Sequence, residues 1–493
     1  MLNLCSGASP AATWYVNDDA SADNNGSSWT DAFTDLQAAV IVAEASDQIW
    51  VAAGIYIPSV SVPGVTGTGA YLLVDGVELY GGFHGIPGSE NDFDSRDFEL
   101  YTTVLSGDLD SDDITNAQGV VTDVSNIIGQ NSEHVVVSFA DDSTTVVDGF
   151  TITAGHTDLP GSRGFGGGLY IVPVSLLKVS NCTFSGNLAR RGGGIYAGDS
   201  TSPTLTNVTF TGNSAVGEVG LGGGMYASGA PTLINVTFHE NTSTREGGGM
   251  ACFATSAELT NVHFFGNRAD LNGGGLRTVD GGAPTLTNVS FTGNTAFFGG
   301  GIYDRLGEST LTNVLFVGNQ ASAGGGMLNF TSTPTLTNVT FASNSAGAGG
   351  GMHNEQNSDP SIRNSIFWGN TAADGPQISR NNSTAHIADS LIQGGCIGGI
   401  CTGTLLTDDP LFVTNPDDGG DGFGVGDNDD FGNLRLQEGS PAIDAGNNID
   451  VPPNLTRDLA LNPRIFDGVH DGTATVDMGA YEFRPITSVL QIR

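Results

Sequence analysis

The chain has 493 residues, 73 of them Gly and five of them Cys, and sets 53 Asp and Glu against 16 Lys and Arg, a formal net charge of -37. Such a charge repels polyanions, which excludes nucleic acid as a partner and disfavours an anionic lipid surface; an acidic polysaccharide would need divalent cations to bridge it. No run reaches the roughly 18 consecutive apolar residues of a membrane-spanning helix, and five cysteines are too few for a disulfide scaffold. The acidity itself fits either saline surroundings or calcium loading.

Residues 1–12 read as the remnant of a leader or as disordered chain. Met1-Leu2-Asn3-Leu4-Cys5 lacks the basic and apolar regions of a signal peptide, and Ser9-Pro10-Ala11-Ala12 resembles the tail of one. Cys5 is a candidate for lipid modification. Residues 13–145 form an N-terminal cap and irregular coils. Trp14-Tyr15-Val16 predicts a strand, and a helix is expected over about Trp29 to Ala45. Ser28 and Asp31 approximate a capping box. Trp29, Phe33, Leu36, Val40 and Ala43 mark its apolar face. Such a helix would cover the core and open edge of a first coil. Ile49–Ala52, Val77–Phe83 and His134–Phe139 predict further strands.

Residues 146–392 repeat one sentence eight times. Gly triplets stand at 166–168, 192–194, 222–224, 247–249, 273–275, 299–301, 324–326 and 349–351. Each is followed by Leu169, Ile195, Met225, Met250, Leu276, Ile302, Met327 or Met352. Each repeat then has a Phe-x-x-Asn pair, from Phe184/Asn187 to Phe367/Asn370, with successive asparagines 25 to 28 residues apart. A fixed period means one unit stacked on copies of itself. The runs are short and β-rich, as in Leu205–Phe210, and are broken by Gly, Asn and Ser. About 26 residues suit a coil of three short strands, with coils about 4.8 Å apart. The fold class is therefore all-β: a right-handed parallel β-helix, a pectin-lyase-like solenoid with an N-terminal capping helix and an irregular C-terminal cap. The apolar residues after the triplets and the phenylalanines are expected as core ladders. The Phe-x-x-Asn asparagines are expected to tolerate left-handed geometry and to bond from coil to coil.

The Gly-Gly-x-Ile and Phe-x-x-Asn motifs resemble the repeats of chlamydial polymorphic outer membrane proteins, and more closely those of bacterial secreted right-handed β-helix proteins. Residues 393–483 change character. An Asp-rich stretch, 408–433, precedes Ser440-Pro441-Ala442-Ile443-Asp444-Ala445-Gly446, Arg457-Asp458, Asn462-Pro463-Arg464 and Val476-Asp477-Met478-Gly479-Ala480-Tyr481-Glu482. These motifs resemble the choice-of-anchor Q domain of secreted bacterial β-helix proteins. The resemblance implies an exported protein, at the cell surface or released from a bacterium. Residues 484–493 form a tail with no evident anchor.

Two residues past each triplet, strand alternation points side chains outward. That column includes Tyr170, Tyr196, Tyr226, Arg277, Tyr303 and His353. It reads either as a glycan-binding groove with aromatic faces for sugar rings or as ordinary exposed-strand tyrosine. Two acidic groups are calcium candidates, because calcium takes several oxygen ligands: Asp108, Asp110 and Asp112, and Asp417, Asp421, Asp427 and Asp429. Asp113 and Gly119 break an EF-hand pattern. The competing reading is a solvated acidic loop. β-Elimination needs a basic residue beside a neutralising cation; Arg277, Asp304 and Arg305 are the weak candidates and are expected to face one groove on adjacent coils. Cys396 and Cys401 suit a local disulfide, which fits an oxidising exterior. Cys182 and Cys252 suit a core.

The leading expectation is an extracellular, non-enzymatic adhesin that binds polysaccharide or a host or matrix surface. The alternatives are a polysaccharide lyase or glycoside hydrolase using the same groove, and a structural rod of an envelope or matrix. No cofactor other than Ca2+ is expected.

Overall fold

The structure is a computed structural model and describes residues 11–61, 67–90, 92–139, 143–159, 161–172, 175–396, 399–423 and 428–485. Cys5, Asp427 and the tail beyond Pro485 lie outside the described residues, and so do the expectations attached to them. The chain divides into two compact units, Met1–Asn213 and Ser214–Arg493.

Each unit is a parallel β-solenoid whose coils share three strand-bearing faces, and the second unit adds a row of short strands, Ser214–Ala215, Thr242–Ser243 and Arg268–Ala269, then Gln320–Ala323, Ser345–Ala348 and Thr371–Asp374. In the first unit, one face runs Thr13–Val16, Gln48–Ala52, Glu78–Phe83, Val146–Asp148, Lys178–Ser180 and Thr204–Thr211, each strand pairing in parallel with the next. A second face runs Gly54–Tyr56, Thr103–Ser106, Thr151–Thr153 and Thr183–Ser185. The third runs Tyr71–Leu73, Val136–Ser138, Leu169–Ile171 and Ile195–Ala197. In the second unit, long strands such as Thr232–His239, Glu258–Phe265, Thr285–Thr292 and Thr310–Val317 bend round one corner and so supply two faces.

The bend has a local cause. In Thr204–Thr211, Leu205, Val208 and Phe210 are all buried. Strict alternation would send Leu205 and Val208 to opposite sides. Between them Asn207 takes φ 56°, and Asn181, Asn235, Asn261, Asn288, Asn313, Asn338 and Asn364 do the same at φ 47–57°. Asparagine visits this left-handed region at less cost than other side-chain-bearing residues. The corner resets the alternation, so both runs face inward. These asparagines stack as well: Asn261 Nδ2 donates to Asn235 Oδ1 at 3.1 Å, and Asn288 Nδ2 to Asn261 Oδ1 at 3.2 Å.

The Phe-x-x-Asn asparagines do otherwise than expected. Their left-handed position is the residue before, Gly186, Gly212, Gly266, Gly293, Gly318 and Gly369 at φ 58–66°, with Glu240 and Ser343 at φ 52°. The asparagines themselves are buried and bond from coil to coil. Asn267 Oδ1 accepts from Asn241 N and Asn241 Nδ2, both at 3.0 Å, and Asn267 Nδ2 donates to Phe238 O at 2.8 Å. Beside them Phe238, Phe264, Phe291, Phe316, Phe341 and Phe367 stack with centroids 4.4–4.9 Å apart. The residues after the Gly triplets form a third ladder, each at most 1% exposed.

The helix is shorter than expected, Leu36–Val42, with Asp35 Oδ1 accepting from Gln37 N at 2.9 Å as its N-cap. Ser28 and Asp31 do bond to each other, but they close a loop. Phe33 explains why no helix starts there: its N–H donates to Tyr15 O and its carbonyl accepts from Asn17 N, both at 2.8 Å. That backbone is committed to a strand edge and is unavailable to a helix. The helix packs against Thr13–Val16, Gln48–Ala52 and Tyr71–Leu73.

In the second unit the irregular C-terminal segment lies along the flank of the coils. Phe412, Leu434, Leu436, Ala442, Ile443, Met478 and Phe483 bury themselves against Leu315, Val317, Ala342, Ile366 and Leu391. Corner asparagines anchor it: Asn313 Nδ2 donates to Arg457 O at 2.7 Å, Asn338 Nδ2 to Asp477 O at 3.0 Å, and Asn364 Nδ2 to Asn447 O at 3.1 Å.

Candidate functional site

In the second unit, strand register puts Tyr226, Ala251, Arg277, Tyr303, Leu328, His353 and Ser379 in one column. The column is less open than strand alternation suggests. Tyr226, Arg277 and Leu328 are 4%, 8% and 2% exposed, while Tyr303 and His353 are half-buried. Its centre is an ion pair. Arg277 Nε lies 2.6 Å from Glu246 Oε2, and Asn272 Nδ2 donates to Glu246 Oε1 at 2.9 Å. Arg277 Nη1 is buried without a hydrogen-bond partner. Burial pulls the guanidinium pKa down, and Glu246 opposes that pull. Burial also lowers His353, against the nearby Glu355 and Asp374.

The first unit holds Tyr170 and Tyr196 side by side at the equivalent position. Tyr196 lies flat on Phe165, centroids 4.6 Å apart, and Tyr170 lies on His134 at 4.9 Å. Stacking within the protein therefore takes faces that a sugar would use.

Arg277, Asp304 and Arg305 do not share a groove, contrary to the sequence expectation. In Ile302–Arg305 the alternation sends Ile302 and Asp304 inward. Asp304 is fully buried, where Thr278 Oγ1 donates to Asp304 Oδ1 at 2.6 Å. Burial raises its pKa to about 6. Arg305 is half-exposed, 3.9 Å from Asp280 Oδ1.

The two acidic groups differ. Among the described residues, Asp108, Asp112 and Asp113 bring carboxylate oxygens within 4.8 Å of one another. Asp110 stands close by, accepting from Gln130 N at 3.1 Å. Desolvation, first, and neighbouring aspartates raise the pKa of the half-buried Asp113 and of Asp112, which is exposed. The second group closes its own turns. Asp417 and Asp430 pair through their backbones, and Asp417 Oδ1 and Asp430 Oδ1 accept from Gly419 N and Gly432 N at 3.1 and 2.9 Å. Phe431 and Phe423 pin this segment: a Cβ on Gly293 would lie 3.0 Å from Phe431, and one on Gly318 would lie 2.8 Å from both rings.

The family description "Right handed beta helix region" fits residues 113–296 and 249–405, together more than half of the chain. The chain belongs to the right-handed β-helix family. No curated protein sequence matches it. Among solved structures, this β-helix is similar to pectate lyase Pel9A, at 13% identity over 97% of this chain and 98% of that one, with a TM-score of 0.45. The polygalacturonase of Erwinia carotovora ssp. carotovora is 10% identical over 80% and 96% of the two chains, TM-score 0.35. PfbA, a surface adhesin of Streptococcus pneumoniae, is 9% identical over 73% and 86%, TM-score 0.28. At such identities and scores the likeness says nothing of chemistry.

The β-helix pairs Cys396 with Cys401 as a disulfide. Cys182 and Cys252 are buried, and burial pushes each thiol up to about 12. Among the described residues no helix is long and apolar enough to cross a membrane. Sequence reasoning missed Glu246, Asp113 and Asn131. Aligning the residues just before the Gly triplets would have shown Glu246 above Asn272, which pair as neighbours on adjacent coils.

Proposed function

We propose that this β-helix is a non-enzymatic protein of the cell exterior that binds a glycan along the column from Tyr226 to His353. The observation that carries the reading is Arg277 Nη1, a buried donor that has no acceptor. Leaving such a donor unpaired costs roughly 1–3 kcal/mol. A sugar hydroxyl would supply the acceptor once the side chains that cover Nη1 turn aside. Tyr303, half-buried on the adjacent strand, offers a ring beside it. The net charge favours a neutral glycan, or an acidic one bridged by cations. Two observations support a binding rather than a catalytic role. Glu246 already neutralises Arg277, and Asp304 points into the core, away from any ligand. The disulfide Cys396–Cys401 supports an oxidising, extracellular location.

The test is a glycan-array screen of the whole chain, with polymer cleavage followed in parallel. Retention without cleavage is expected, weakened about tenfold in Tyr303→Ala, a loss of about 1.4 kcal/mol. New reducing ends or unsaturated products would establish an enzyme instead. Retention on no glycan would favour a structural rod.

A further inference from the structure

In the first unit, a second site lies at the base of the long excursion between Thr103–Ser106 and Val136–Ser138. The excursion crosses back on itself, with Leu109 N donating to Gln130 O at 2.9 Å and Ser132 N to Gly107 O at 2.7 Å. Its far part covers a corner of the coils. Val121 N donates to Thr153 Oγ1 at 3.0 Å, and Ser185 Oγ donates to Val121 O at 2.8 Å. At Gly186 an added Cβ would lie 2.4 Å from Val121 O.

We propose that this base binds one calcium ion through Asp108, Asp112, Asp113 and the side-chain oxygen of Asn131, with Asp110 as an outer carboxylate. The aspartate oxygens lie within 4.8 Å of one another. Two oxygens on opposite sides of an ion held at about 2.4 Å are separated by about that distance. Asp110 and Asp112 both crowd Gly129, where an added Cβ would meet their oxygens at 2.6–2.7 Å.

The independent pointer to a ligand is Asn131. Its backbone faces Asp108 across an antiparallel bridge. Asn131 is 8% exposed, and its Nδ2 donates to Asp113 Oδ2 at 2.7 Å and to Ala154 O at 3.0 Å. The same amide's oxygen is buried at the edge of the cluster with no donor. The carboxylates already accept from backbone, Asp108 from Asp112 N and Asp113 N at 3.2 Å, but the buried amide oxygen has no donor, and a cation held among the carboxylates would satisfy it. All donors are oxygens and several are charged, which suits a hard cation. The irregular loop geometry suits calcium rather than magnesium, which demands near-ideal octahedral coordination.

The expected role is to clamp the base of the excursion, so that Val121 stays on its corner. The experiment uses the whole chain, stripped with chelator, then titrated with CaCl2 by calorimetry and followed by thermal melting. One ion is expected to bind at this base and to raise the melting temperature by several degrees. Asp112→Asn and Asp113→Asn should each weaken that binding about tenfold or more and abolish most of the melting shift, with unchanged circular dichroism. Asp417→Asn, in the other acidic segment, should leave both intact. Parental calcium affinity in Asp112→Asn and Asp113→Asn would overturn the proposal, as would a parent chain that binds no calcium at millimolar concentration. Neither readout involves a glycan, so the result stands apart from the column's role.

Discussion

Asn319 gives both its backbone N–H and its Nδ2 to one atom, Asn344 Oδ1, at 3.0 and 2.8 Å. Asn319 Oδ1 in turn accepts from Asn294 N and Nδ2 at 3.0 and 2.9 Å. Each amide thus closes one coil on the next with two bonds in each direction, in a fully buried site. Asn319→Leu would leave Asn294 N buried without its acceptor and would remove the 2.8 Å bond from Asn319 Nδ2 to Phe291 O. The expected loss is about 1–3 kcal/mol for the orphaned N–H. Urea unfolding checks it; a loss under about 1 kcal/mol would mean the ladder is decorative.

Asp304 makes stability depend on pH. Its folded pKa, about 6, lies above the ordinary 3.8 because burial penalises the charged form. The folded state therefore favours the proton. This contribution is fully present below about pH 4 and is lost as pH rises through about 6. The full loss is on the order of 3 kcal/mol, at 1.36 kcal/mol per pKa unit. Asp304→Asn should be the more stable form at pH 7.5 and should flatten the pH profile between about 4 and 6. A variant with the parental profile would count against this account.

Arg464 is the counter-charge for three buried acids. Its Nε lies 3.3 Å from Glu482 Oε1, its Nη2 donates to Asp477 O and Gly479 O at 2.8 and 2.9 Å, and Asp458 is buried nearby. Burial pushes Glu482 up to about 9 and Asp477 to about 6, with Arg464 acting against both shifts. Removing one partner of a buried pair costs about 3–5 kcal/mol. Arg464→Met should therefore release the C-terminal segment, read as new protease cuts after residue 440. The double variant Arg464→Met with Glu482→Gln should recover part of the loss.

Gly275 sits where two coils nearly touch. A Cβ there would lie 2.8 Å from both Gly301 O and Phe291 Cδ1. Neither neighbour can retreat without disturbing a ladder. Gly275→Ala should cost about 1–3 kcal/mol as overpacking, measurable as a lower urea midpoint. Gly282→Ala, whose Cβ would meet nothing closer than 3.1 Å, should cost less.

The stacked fold was legible because each coil repeats the same demand. Leu169, Ile195, Met225 and their five successors announce a buried row through period alone, and the row is buried. The helix boundary was not legible. Ser28, Asp31 and an apolar face at helical spacing describe a good helix start, but Tyr15 and Asn17 claim the backbone of Phe33 first. Local propensity loses there to a strand edge that the local stretch does not contain.

The candidate site divides the same way. Periodicity alone placed the column: the Gly triplets set the register, so Tyr226, Arg277, Tyr303 and His353 had to align. It also determined the Asn, Phe and apolar ladders, since identical residues recur wherever identical surroundings recur. What those residues meet depends on the packing of the folded chain. Asp304 turns inward beside Arg305 because strand alternation is strict to the single residue. Glu246 reaches Arg277, and Asn131 reaches Asp113, from separate stretches of chain. The acidic tail lies on the flank because corner asparagines with φ near 55° present their amides to it. Periodicity reports a residue's environment within its own coil. Contacts between different loops depend on chain paths with no period, and only the folded packing fixes them.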